Sequence, residues 1–365
     1  MRGQGHQIFV DELARFADGV VDPRVAAIAR RTAAPLRVVV RGRRGVGRRT
    51  VARALDRAGT ASGIAADLQL SASAPDPGAD AVVYVVAEVV KPEDAHAIAA
   101  AGQPVVVLNK ADLSGRRGDG PIAAARARCA DLSALIGAPM EPMIGLLAVA
   151  LDELDDADDQ ALWAALHTLA THPGAAACLD GSFAGFLAAD GPVPAGVRQR
   201  LLDTLDLFGI ALAVAAIRQG RTPAQVRALL RRMSGVDAVL AKVGVLGAEV
   251  RYQRVLGAVA ELEALAAGGG LLGERIGGFL SRDDTVVARM AAAVDLAEAA
   301  GLDPGGPGSA GVDRDPSAHL PRAVRWQRYS RASASELHRA CGADIARGSL
   351  RLWSQACASL PGESW

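Results

Sequence analysis

The chain of 365 residues is poor in lysine, aromatic residues, cysteine and long apolar runs. Of its 40 basic residues only Lys91, Lys110 and Lys242 are lysines, so the position of each is informative. Aromatic residues make up 4%, too few for a platform on which single-stranded nucleic acid stacks. The 40 basic residues are balanced by 40 acidic ones, so no net charge draws the chain toward nucleic acid. The four cysteines, Cys129, Cys178, Cys341 and Cys357, form no CxxC pair, which argues against a disulfide framework or a zinc site. His167 and His172 are five positions apart, on different faces of a helix, unlike the i, i+4 pair of a zinc helix. The longest apolar run, Leu207–Ile217 (LFGIALAVAAI), has 11 residues and is too short to span a bilayer. The opening MRGQGHQIFVDELARF lacks the apolar centre of a signal peptide. The expected location is therefore cytoplasmic, with peripheral contact at the inner face of the membrane left open.

What is present is an apolar fraction of 50%, ample for a core and incompatible with a wholly disordered chain. Residues 1–34 read as helical, with Asp22-Pro23 as a helix start. Leu36–Val40 (LRVVV), Ala81–Val86 (AVVYVV) and Val105–Leu108 (VVVL) read as short buried strands. A helix closed by Gly59 and another over 92–101 alternate with them, which indicates a parallel sheet of the α/β class. Residues 60–79, small, polar and rich in Pro and Gly, read as a loop or weak strand. The α/β domain is thus expected over 35–151. From about Asp152 the pattern turns helical, with a capping box at Thr222-Pro223-Ala224-Gln225. An all-α bundle domain is expected over 152–300 and a flexible Gly/Pro-rich loop over 301–321. A basic helical segment is expected over 322–365, with Trp326 and Trp353 packed.

The first strand runs into Gly42-Arg43-Arg44-Gly45-Val46-Gly47-Arg48-Arg49-Thr50 and then a helix. Strand, Gly-rich turn and helix N-terminus are the parts of a P-loop. The glycines let backbone N–H groups converge on a phosphate, and the helix end adds positive charge. The spacing of Gly42 and Gly47 fits, but the next two positions should be Lys and Ser or Thr. They are Arg48 and Arg49, with Thr50 one place late. A guanidinium does not freely replace an ammonium, and Arg49 cannot ligate Mg²⁺. Taken alone, the loop also reads as an Arg-rich strand-to-helix turn.

The strand VVVL ends in Asn109-Lys110-Ala111-Asp112-Leu113. This resembles the N-K-x-D box of GTPases. The resemblance implies that Asp112 accepts hydrogen bonds from guanine N1–H and N2–H₂, that the Lys110 stem lies along the base, and that Asn109 ties this turn to the P-loop. The strand ADAVVYVV is similar to the one after the second switch region in Era-like and dynamin-like GTPases. Other parts of that pattern are missing. The only D-x-x-G candidate, Asp76-Pro77-Gly78, has the wrong spacing, and Ile144-Gly145-Leu146 lacks the serine of the last base-contacting box. The helical run after Leu201 resembles the region following the G domain in actinobacterial dynamin-like GTPases of the isoniazid-inducible type. The whole resemblance covers residues 35–265, with its specificity at 42–50 and 109–113.

The resemblance implies a P-loop NTPase-like α/β domain with a shortened parallel sheet, followed by an all-α domain. Its nucleotide site would comprise Gly42, Gly45, Gly47, Arg48, Arg49, Thr50, Asn109, Lys110 and Asp112. It further implies GTP or GDP as ligand, and assembly with a homologous GTPase or with copies of itself. Three readings stand at this point. The first is a pseudo-GTPase or weak guanine-nucleotide binder that partners an active GTPase, and it has no catalytic residue to name. The second is an active Mg²⁺-dependent GTP hydrolase whose loop is shifted by one, with Thr50 as the metal ligand. The third is a helical interaction module that binds no nucleotide.

Overall fold

The computed structural model describes residues 4–60, 64–68, 78–115, 120–153, 160–172, 182–188, 191–304 and 316–358. Chain contacts group them into two compact units, residues 36–243 and residues 1–35 with 244–365. The segment 1–34 therefore belongs to the same unit as the C-terminal helices, and the helical run 152–300 is shared between the two. The division falls inside one long helix.

The unit 36–243 contains a five-stranded parallel sheet. Its strands are β1 (Leu36–Gly42), β2 (Ile64–Leu68), β3 (Ala81–Ala87), β4 (Val105–Asn109) and β5 (Met140–Met143). The order across the sheet is β2-β1-β3-β4-β5. Val38 pairs with both Ala66 and Ala81, and Val107 with both Val85 and Glu141. The helices α3 (Arg48–Gly59), α4 (Pro92–Ala100) and α5 (Pro121–Ile136) make the crossovers, and α6 (Gly145–Glu153) follows β5. From the central pair β1–β3 the chain winds outward in both directions. In such a doubly wound sheet, ligands bind at the carboxyl ends of the strands where the order reverses. Here that point lies at the ends of β1 and β3.

The apolar strand runs are buried as expected; all five residues of β4 are buried. Tyr84, Val86, Val106 and Leu108 pack with Ile98 of α4 and Cys129 of α5. Two strands lie outside the apolar runs. Residues 64–68 form edge strand β2, the strand alternative of the two read for 60–79; residues 61–63 and 69–77 lie outside the described residues. The strand β5 was not foreseen.

The same unit continues with α7 (Gln160–Thr171), α8 (Phe183–Ala188), α9 (Ala195–Arg218) and α10 (Pro223–Ser234). Thr222 Oγ1 accepts from Gln225 N–H, and Gln225 Oε1 accepts from Thr222 N–H, closing the capping box that opens α10. The apolar run 207–217 packs into the core with Leu147, Leu166 and Leu230. Helix α9 is kinked at Asp206, whose φ of 58° and ψ of 170° are not helical.

The other unit holds α1 (Gly5–Val20) and α2 (Pro23–Thr32), the latter capped by the Asp22 carboxylate on Arg24 N–H. With them are α12 (Gly270–Ser281), α13 (Asp283–Ala299), α14 (Pro316–Ala332) and α15 (Glu336–Ala358). The long helix α11 (Val236–Ala266) carries the division between the units. Phe16 stacks on Phe279 at 4.2 Å between ring centroids. The expected loop 301–321 is helical from Pro316; residues 305–315 are not described. Trp326 is buried, whereas Trp353, expected to pack, is 38% exposed. Among the described residues no helix is long and apolar enough to cross a membrane.

Candidate functional site

The Gly-rich turn lies at the β1–β3 switch point. Gly42 closes β1 so near β3 that a Cβ there would stand 2.5 Å from the Val85 carbonyl oxygen. Gly47 has φ of 83°, in the left-handed region, and directly precedes α3. A Cβ on it would lie 2.3 Å from Asn109 Nδ2. Glycine is therefore required at position 47 both by the backbone conformation and by the close approach of Asn109.

Asn109 is 4% exposed and hydrogen-bonded at both ends of its amide. Its Nδ2 donates to the Val46 carbonyl at 2.9 Å, and its Oδ1 accepts from Gly145 N–H at 2.9 Å. One side chain at the end of β4 thus joins the Gly-rich turn to the β5–α6 turn. The partners also fix which end of the amide is oxygen. Gly145 belongs to the triplet 144–146. Lys110, exposed, takes the left-handed conformation (φ 59°, ψ 42°) and starts the tight turn over Ala111–Leu113. Asp112 is half-buried in that turn; burial raises its carboxyl pKa above the ordinary value, and the Asp206 carboxylate adds to the effect.

Arg48 donates from Nη1 to the Gly42 carbonyl at 2.9 Å, closing the turn on itself. Arg44, Gly45 and Arg49 are exposed. Thr50 Cγ2 lies 3.6 Å from where Gly145 would carry a Cβ. Arg48 and Arg49 occupy the two places after Gly47, and Arg48 opens α3. Among the described residues there is no cluster of three or more His, Cys, Asp or Glu able to hold a metal ion. Asp76 and Pro77 of the D-x-x-G candidate are outside the described residues.

Sequence reasoning missed a further group. Arg43 Nε lies 2.8 and 2.9 Å from the two carboxylate oxygens of Asp94, which is wholly buried. Tyr84 Oη donates to Asp94 at 3.0 Å, and so does Lys91 N–H. Burial, and then Asp94, push the Tyr84 phenol well above its usual range. Arg43 is thereby tied to Asp94 of α4. The available signal was Asp94 itself, an acidic residue in the first turn after Pro92, which in isolation reads as an ordinary helix start.

A separate cleft of about 380 Å³ opens between Ala111, Arg126, Glu141 and Arg231, and it does not include Asn109, Lys110 or Asp112. Comparison with family models, curated proteins and solved structures finds no match to this chain.

Proposed function

We propose that this chain is a pseudo-GTPase. In this reading it holds GTP or GDP weakly, hydrolyses little or none of it, and acts in assembly with a homologous active GTPase or with copies of itself. The carrying observation is the Asn109 clamp, which brings the Gly-rich turn, the Asn109–Asp112 turn and the Gly145 turn together at the switch point of a doubly wound sheet. Three turns so joined would hold the phosphates on the Gly-rich turn and the base against Asp112. The carboxylate suits a base that presents adjacent N–H donors, as guanine does.

The same geometry argues against turnover. Phosphoryl transfer needs a charge clamp, Mg²⁺ and a positioned water. Arg48 offers the first, and Arg49 stands where the metal-binding hydroxyl would be. A cytoplasmic location with peripheral membrane contact fits this reading.

The test is calorimetric titration of the purified full chain with GDP, GTP and ATP. Guanine nucleotides should bind and ATP should not. Asp112→Asn should weaken guanine binding about tenfold or more while leaving the protein folded. A folded protein that takes up none of the three nucleotides would overturn the reading.

A further inference from the structure

The junction of α10 and α11 is fixed against the end of β5. Gly235 follows α10 in the left-handed conformation, with φ of 77°. A Cβ on it would stand 2.4 Å from the Pro142 carbonyl oxygen. The Ser234 carbonyl accepts from Ile144 N–H at 2.8 Å. Helix α5 brings Ile122 and Arg126 to the same place, and the cleft of about 380 Å³ lies between these elements. Its apolar lining includes Ile122, Pro142 and Met233. Concave apolar surface of this kind gains free energy when a ligand covers it, and a few polar groups then fix the ligand's orientation.

The charged groups of the cleft do not cancel. Three arginines, Arg126, Arg231 and Arg232, line it with two acids, Glu141 and Asp237. Arg231 grips the Asp237 carboxylate through Nε and Nη2, at 2.7 to 3.1 Å. Glu141 lies 3.8 Å from Lys242 Nζ. Each acid thus has its cation, and Arg126 and Arg232 have no ion-pair or hydrogen-bond partner among the described residues. They enter the cleft from two different helices, α5 and α10. We infer that this cleft binds a small organic anion, a carboxylate or phosphate carried on an apolar body. Guanidinium groups match the planar or branched oxyanion through paired N–H donors, and the apolar lining takes the body. At roughly 30 Å³ for an atom the size of water, the cleft holds about a dozen non-hydrogen atoms, too few for a nucleotide. Asn109, Lys110 and Asp112 do not line it, so this inference stands apart from the nucleotide reading.

The experiment titrates the full chain in a calorimeter with octanoate and phenyl phosphate, and with octanol and benzyl alcohol as their uncharged counterparts. At least one of the anions should bind saturably, and its alcohol about tenfold or more weakly. Whichever anion binds more tightly separates a carboxylate ligand from a phosphate one. Arg126→Ala and Arg232→Ala should each weaken the anion about tenfold. Both variants should keep the far-ultraviolet circular dichroism spectrum of the parent, because both side chains are exposed. Ala228→Phe, at an exposed position lining the cleft, should fill it and abolish binding without disturbing the core. Failure of both anions to bind folded protein overturns the inference. So do alcohols that bind as tightly as the anions, and arginine variants that bind as the parent does.

Discussion

The amide of Asn109 is the only side chain that touches both the Val46 carbonyl and the Gly145 N–H among the described residues. Truncating it to alanine leaves two buried backbone groups without partners, each costing about 1–3 kcal/mol. Asn109→Ala should therefore lower stability by at least about 2 kcal/mol and abolish nucleotide binding. Urea unfolding would read this as a lower midpoint at unchanged slope. A midpoint within error of the parent would mean that Asn109 does not join the turns. This residue could be singled out in the sequence because Asn109, Lys110 and Asp112 lie within four positions of one another in an N-K-x-D pattern. The Arg43–Asp94 pair was not, because its members are 51 residues apart. Arg43 read as one more arginine in an arginine-rich turn, and nothing in the sequence singled out Asp94. Only the sheet, which brings the ends of β1 and β3 side by side, makes them a pair.

At the scale of elements, what was legible depended on whether a signal was local. Helices with an end signal, such as α2 after Asp22 and α10 after Thr222, could be read because their caps are formed by neighbours in sequence. The strand β5 (MEPM) could not, and β2 (IAADL) read only as a loop or weak strand, since both are short and lack an apolar run; pairing with β4 and β1 makes them strands. Helix α12 (GLLGERIGGFLS) has four glycines and poor intrinsic propensity, and it is held by burial of Ile276 and Phe279. Helix packing also separates two glycines that the sequence does not distinguish. A Cβ on Gly5 of α1 would lie 2.0 Å from the Ala291 carbonyl oxygen of α13, whereas one on exposed Gly257 of α11 would meet nothing within 4 Å. Gly5→Ala should thus cost about 1–3 kcal/mol by forcing α1 away from α13. Gly257→Ala should raise stability by about 0.5–1 kcal/mol through helix propensity. Equal thermal midpoints for the two variants would contradict this account of the packing.

At the scale of the whole molecule, the grouping of residues 1–35 with 244–365 was hidden, because contacts across more than two hundred positions leave no periodic trace in the sequence. Phe16 on Phe279, the Arg254 guanidinium on the Ala34 carbonyl, and His6 N–H on the Asp295 carboxylate are contacts of this kind. His6 gives the fold a pH dependence. Its ring is buried, and its Nε2 has no hydrogen-bond partner among the described residues. Burial lowers its pKa from 6.5 to about 4, and the nearby Arg251 and Arg254 act in the same direction, against a small opposing effect of the Thr32 backbone. Between these two values the unfolded chain binds a proton that the folded one refuses. Stability therefore rises with pH across the window and is lost as pH falls from 6.5 toward 4. The shift corresponds to about 3 kcal/mol at its limit, enough to matter against the marginal stability of folded proteins. Urea midpoints measured between pH 7 and pH 4 should fall in the parent, and His6→Asn should remove the part of that fall lying between pH 6.5 and 4. If the two proteins lose stability in parallel over that range, the carboxylates carry the acid response and His6 does not.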